Sequence, residues 1–155
     1  MNKNEILSAI GIFLGIGVVA LVSKSIDNNL LLAPFGATSI IAFLLYDSDY
    51  AQPRNIILGY IITSIVGLAV VFLLGHTWVV YALAVAIAML VKVYFKAVHP
   101  PSAAMPIILL QANQYGIIHY FLFDVMPGIC LLVFVAVLYN RFILQRDYPI
   151  WSRSH

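Results

Sequence analysis

The chain has 155 residues, of which 63% are hydrophobic and 9% charged, with a formal net charge of +2. Soluble domains carry roughly 25% charged residues, so no soluble fold of this length hides so much apolar surface, and an integral membrane protein is the class that remains. A lone cysteine, Cys130, excludes a disulfide framework and makes a metal site unexpected. A balance of +2 gives no reason to expect a nucleic-acid partner.

The first apolar run covers residues 6–22, between Lys3 and Lys24. It is long for the core of a signal peptide and no A-x-A site follows, so it reads as a first membrane helix. Gly11 and Gly15 form a G-x-x-x-G that lets a neighbouring helix approach closely. Residues 30–46 are apolar but short, and are interrupted by Pro34 and Gly36. A hydrophilic turn fills 47–55. Residues 56–74 make a full-length span with Gly59, Thr63 and Gly67 on one face. After the Gly75-His76 turn, residues 78–95 carry Ala82, Ala84, Ala86 and Ala88 as small packing positions. Trp78, Tyr81, Tyr94 and Phe95 stand near the ends of that run, where aromatics favour the membrane interface.

Residues 97–106 read AVHPPSAAMP. Pro100 and Pro101 cannot lie inside a regular helix, although Pro101 can open one. Broken backbone at membrane depth is tolerated only where protein or a water-filled cavity covers it. This stretch is therefore either a plain loop or the working site. It continues as MPIILLQ, then a polar turn at 112–116, then a long run at 117–144 that holds Asp124, Pro127 and Gly128. A basic, aromatic tail at 145–155 suits the membrane surface.

The positive residues decide how many runs cross. If all six cross with the N-terminus inside, Lys3, Arg54, Lys92, Lys96, Arg141, Arg146 and Arg153 are inside and Lys24 alone is outside. If the two short runs only loop in and out, the split becomes four against four. The positive-inside rule favours six crossings with both termini cytoplasmic. The short runs reach because the chain beside each proline is extended, at about 3.3 Å per residue rather than 1.5 Å. Lys92 and Lys96 are expected to snorkel to the inner interface.

Residues 1–75 and 76–150 each read long span, short Pro-broken span, long span. Three spans repeated in tandem must have inverted topology. The expected fold is an all-α membrane protein of one domain over 1–155, with six transmembrane segments as a 3+3 inverted repeat whose second member is short and Pro-broken. Paired broken segments point to a transporter's binding site. Each short helix would begin within the membrane, just after its proline, with unpaired N–H groups and partial positive charge at its start. The candidate site comprises Pro34, Phe35, Gly36, Ala37, Thr38, Ser39, His99, Pro100, Pro101, Ser102 and Ala103, with Arg54 at the inner mouth. Small residues let a ligand reach the N–H groups, and Thr38, Ser39, Ser102 and the His99 ring add donors. Such opposed helix ends suit a small anion. His99 and Asp124 are candidates for proton coupling, Asp124 because an acid inside a span is costly and usually functional. The bland readings are a packing kink at Pro34, an interfacial histidine at 99 and an acid near the outer interface at 124.

APFGAT at 33–38, AQPRN at 51–55 and HPPSAA at 99–104 together resemble the HPP family of bacterial and plastid membrane proteins, named for the triplet His99-Pro100-Pro101. The resemblance covers roughly residues 30–110. It implies four spanning helices as usually described, against six read from the charges. Relatives in plastids and cyanobacteria are associated with nitrite transport, so it implies a small-anion permease, most readily for nitrite, in a bacterial inner membrane. This chain has Ser102-Ala103-Ala104-Met105 where the family commonly continues with Gly and Thr. The competing class is a membrane sensor or scaffold without transport. An enzyme is not expected, since Cys130 has no histidine near it in sequence and no metal motif such as H-E-x-x-H occurs. No cofactor is expected. Six spans in so short a chain make a thin bundle, so the partners expected are the bilayer, the anion and further copies of the chain, as a dimer or trimer.

Overall fold

The computed structural model describes residues 2–111 and 116–150. The polar turn read at 112–116, apart from Gly116, and the tail beyond 150 with Arg153 lie outside the described residues. The regular elements among those described are all helical. They are α1 (Lys3–Ser25), α2 (Ala33–Leu44), α3 (Pro53–Leu74), α4 (Trp78–Tyr94), a 3₁₀ segment (Pro100–Ala104) that runs straight into α5 (Met105–Gln111), and α6 (Ile117–Ile143), which contains π-helical stretches at Phe121–Val125 and Tyr139–Ile143. Three of these, α1, α3 and α6, are long and apolar enough to cross a membrane. The 12 residues of α2 rise only about 18 Å.

Local chemistry sets the ends. Asn2 and Glu5 form a reciprocal capping box at the start of α1. Pro34 and Pro53 sit in the first turns of α2 and α3, where the missing N–H is not needed. Gly75, at φ +83°, ends α3 and permits the tight reversal into α4. The Val80 N–H donates to Thr77 Oγ1 at the start of α4. Leu32 and His99, the residues before the two Pro-broken helices, are both extended, as expected of chain beside a proline.

Antiparallel order follows from contacts at the two ends of the bundle. At one end Ser8 Oγ donates to Phe43 O at 2.9 Å and Tyr139 Oη to Leu7 O at 2.8 Å. At the other, Asp124 Oδ1 accepts from Asn29 N at 3.2 Å, and Asn28 Nδ2 donates to Phe123 O at 3.0 Å. So α2 and α6 both run back along α1. The expected close approach at Gly11 and Gly15 is present: a Cβ on Gly11 would lie 2.5 Å from the Phe43 ring and 2.7 Å from that of Tyr139. Elsewhere α3 packs against α4, the 3₁₀ segment and α5, while α6 packs against α1 and α2. These two groups meet where α2 touches the 3₁₀ segment and α3 touches α6.

The bundle buries polar side chains within an otherwise apolar core and turns large apolar side chains outward, as suits a bilayer solvent. Thr38, Ser39, Thr63, Lys92, His99, Ser102 and Asn140 are buried, while Phe13, Phe72, Leu73 and Trp78 are at least 75% exposed. Trp78 and Tyr94 mark the two ends of α4 as expected of interfacial aromatics.

Candidate functional site

The Pro100-Pro101 break throws the chain into the centre of the bundle. His99 precedes it, is fully buried, and has both ring nitrogens bonded. Nδ1 lies 2.8 Å from Tyr50 O. A carbonyl only accepts, so Nδ1 carries the proton and Nε2 is an acceptor when the ring is neutral. Thr38 Oγ1 stands 2.9 Å from Nε2 and must donate to it. The single Thr38 proton being so committed, the bond from Tyr60 Oη to Thr38 Oγ1, also 2.9 Å, has tyrosine as donor. The result is a directed chain from Tyr60 through Thr38 and His99 to the loop carbonyl of Tyr50. The ring N–H expected to face an anion instead faces that carbonyl.

Beside the ring lies Lys92, 2% exposed. Its Nζ donates to Ser102 Oγ at 3.1 Å and to His99 O at 3.4 Å. Ser102 Oγ also donates to His99 O at 2.7 Å and meets Thr63 Oγ1 at 3.2 Å, and Thr63 Oγ1 donates to Gly59 O. Among the described residues no carboxylate stands within ion-pair reach of Lys92 or His99. Gly59 makes room for the cluster, since a Cβ there would lie 2.9 Å from His99 Cβ and 3.2 Å from Ser102 Oγ. One helical turn and a residue further along α3, Ser64 Oγ is buried with no hydrogen-bond partner among the described residues.

The match to known proteins can now be set beside this geometry. The sequence model of the HPP transmembrane region matches residues 2–149. The chain belongs to the HPP transmembrane family. Two relatives from Dictyostelium discoideum, each described as a transmembrane protein, are 33% and 30% identical over 90% of this chain. The aligned region is 48% and 52% of their own length, so this HPP chain spans about half of each relative. No solved structure matches.

Of the residues expected at the site, Thr38, His99 and Ser102 converge in this HPP protein, with Pro34, Phe35 and Ser39 buried close by on α2. The hydroxyl of Ser39 turns back to Gly36 O at 2.7 Å. Gly36 and Ala37 lie on the outer, exposed face of α2, and nothing stands within 4 Å of a Cβ on Gly36. Pro100 is exposed and Pro101 and Ala103 are half-buried. The two helix starts do not meet tip to tip: His99 touches Thr38, five residues past the start of α2, an offset of about 7.5 Å. Arg54 is exposed and donates to Lys96 O at 2.9 Å and Phe95 O at 3.3 Å, holding the end of α4 just upstream of His99. Asp124 is at the opposite end of the bundle, bonded to the backbone after α1.

Sequence reasoning missed Lys92, Tyr60 and Thr63 as site members. Lys92 does not snorkel outward. It falls four residues after Ala88 and eight after Ala84, which with Val80 form the buried stripe of α4, so its stem follows that stripe inward. The four-residue spacing was the available signal. Thr63 belongs to the small-residue face of α3 with Gly59 and Gly67, and Tyr60 adjoins it. Among the described residues no group of three or more His, Cys, Asp or Glu side chains gathers to hold a metal.

Proposed function

We propose that this HPP protein is a permease for a small inorganic anion, most readily nitrite, rather than an enzyme. The observation that carries the reading is Lys92: a buried cation, facing a broken backbone, with no carboxylate beside it among the described residues. An unpaired charge in a low-dielectric interior costs several kcal/mol, and an anion that enters beside it removes that cost. Lys92 Nζ has three donors and two acceptors among the described residues, which leaves one N–H for the anion. Ser102 and Thr63 supply hydroxyls within the same cluster.

Six crossings as a 3+3 inverted repeat fit the packing. Each half gives its third helix to the other half: α3 lies on α4 and the broken fifth segment, α6 on α1 and α2. That exchange is what a pseudo-two-fold axis in the membrane plane produces. Positive residues at the α1 start, the α2–α3 loop and the α4 end support a cytoplasmic location for both termini. The bacterial inner membrane is the compartment proposed with the permease, although both relatives come from Dictyostelium discoideum. Ala33, Gly36, Ala37 and Ile40 form an exposed stripe on α2 that suits close contact with a second copy, in a dimer or trimer.

One observation favours a module without transport: both His99 nitrogens and the Thr38, Thr63 and Ser102 hydroxyls all have partners inside the protein. Nitrite uptake by proteoliposomes, beside nitrate, formate and chloride, separates the two. Saturable nitrite uptake above protein-free vesicles is the expected result. No flux of any anion through folded, correctly inserted protein sinks the permease.

A further inference from the structure

The hydrogen-bond chain at His99 has a property that a purely structural network does not need. Its terminal acceptor, Nε2, is the one atom in the chain that can take a proton, and each link between it and Tyr60 is a hydroxyl able to donate or accept. We propose that the protein carries its anion together with a proton, one for one, with His99 Nε2 as the proton carrier and Thr38 and Tyr60 as the relay that accommodates it. This rests on the permease reading and names its coupling ion.

The step balances as follows. A proton from water adds to the Nε2 lone pair. Thr38 Oγ1 then accepts from Nε2–H and turns its own O–H to Tyr60 Oη, whose proton turns away. Oxygen–nitrogen and oxygen–oxygen separations of 2.9 Å serve either direction, so the relay reverses by hydroxyl rotation alone, while the exchange of the buried His99 proton with water on each side takes place as the transporter opens to that side. Nδ1–H stays on Tyr50 O throughout. On the far side of the membrane the proton returns to water and both hydroxyls turn back.

The surroundings of the ring link this proton to the anion. From α2 it meets the Thr38 hydroxyl, and from α3 the Tyr60 ring at 5.8 Å between centroids, with Gly59 behind. From α4 it meets Lys92, on the His99 carbonyl. From the α2–α3 loop it meets Tyr50 O, with Asp49 next in sequence and Asn55 Nδ2 on the Asp49 carbonyl. Arg54 and Lys96 stand at the mouth, the former bonded to the backbone of the latter. An imidazolium here would face an ammonium with no carboxylate among the described residues within ion-pair reach of either. Two like charges in a poorly screened interior repel strongly. An anion on Lys92 cancels that repulsion, so proton and anion each strengthen the binding of the other by the same factor. One anion and one proton moving together carry no net charge.

The test is nitrite uptake into proteoliposomes that contain a pH-reporting dye, with the protein-free rate subtracted. The expected results are one proton entering per nitrite, a rate that rises severalfold with an inward proton gradient, and a rate indifferent to a potassium–valinomycin potential. Uptake that follows the potential with no internal acidification overturns the symport and leaves the permease standing. No protein-dependent uptake removes the permease itself, and the symport with it. His99→Asn is expected to lose pH-driven uptake; an unchanged proton-to-nitrite ratio in that variant removes His99 as carrier. Thr38→Val, which keeps the histidine, is expected to lower pH-driven uptake on the order of tenfold and to alter its pH profile, with Thr38→Ser restoring both. A wild-type profile in Thr38→Val rules out the relay.

Discussion

Among the described residues two cations, Lys92 and Arg146, are drawn into this bundle, and they are treated differently. Arg146, half-buried at the end where α2 finishes, donates to Phe43 O at 2.6 Å, Asn140 Oδ1 at 3.0 Å and Ser8 Oγ at 3.1 Å, and its guanidinium stacks 4.3 Å above the Tyr46 ring. It sits on a helix C-terminus, where the dipole welcomes positive charge, and Asn140 Nδ2 takes the adjacent carbonyl, Ala42 O, at 3.1 Å. Lys92 is more deeply buried and has less: one carbonyl and one hydroxyl that are already bonded to each other. The same charge closes a helix end in one place and is left incompletely neutralised in the other. The second arrangement is the one on which the permease proposal rests.

The sharpest way to break this comparison is Lys92→Met. Methionine keeps the length of the stem and removes the charge, so the stability of the detergent-solubilised protein is expected to hold or rise, since the desolvation cost of a buried cation disappears. Anion flux is expected to fall on the order of a hundredfold, as for loss of about 3 kcal/mol at a buried charge contact. Thermal melting and nitrite uptake on the same preparation decide it. A protein that melts much earlier, with flux per folded molecule intact, makes Lys92 a structural cap like Arg146.

A pair of alanine substitutions comes next, because both glycines adjoin a Pro-broken segment but face opposite ways. Gly59→Ala pushes a methyl into His99 and Ser102, an overpacking expected to cost about 1–3 kcal/mol. Gly36→Ala meets open space and gains helix propensity of up to about 1 kcal/mol. Melting curves are expected to separate the two variants by several degrees, with Gly36→Ala at or above wild type. If Gly36→Ala instead loses stability or changes the oligomer seen by crosslinking in lipid, the outer face of α2 is covered by a second chain.

The membrane class, the helical runs and the two extended entries before Pro34 and Pro101 were all legible in the sequence, because hydropathy and proline stereochemistry are local. The G-x-x-x-G at Gly11 was legible for the same reason: a missing side chain announces a close neighbour without naming it. The site was legible at the break and not beyond it. Thr38, His99 and Ser102 were found from the residues that flank the prolines. Gly36 and Ala37 were expected to face the ligand because they share that segment, but the azimuth of a short helix is set by its neighbours, and here Phe35, Thr38 and Ser39 turn inward. Lys92 was read by the habit of its residue type at a helix end, whereas the buried Val80, Ala84 and Ala88 stripe carries it in. The direction of the His99 chain depends on which atom faces Tyr50 O, a contact across 49 residues that no local pattern encodes.

The smallest expected effect belongs to the cation that already has its partners. Arg146→Met removes three donors, yet the acceptors are not all abandoned: Ser8 Oγ still donates to Phe43 O at 2.9 Å, and Asn140 Nδ2 keeps Ala42 O and Ala136 O. Only Asn140 Oδ1 and the face of Tyr46 lose their contact outright, so the loss is expected near the low end of the range for an orphaned buried acceptor, about 1 kcal/mol. Flux per folded molecule is expected to stay at the wild-type value, because Arg146 lies beside α1 and α2 and bonds nothing in the His99 cluster. Equal losses of flux in Arg146→Met and Lys92→Met, at equal stability, would erase the distinction between the two cations and point to the end of α2 as a second anion station along the same path.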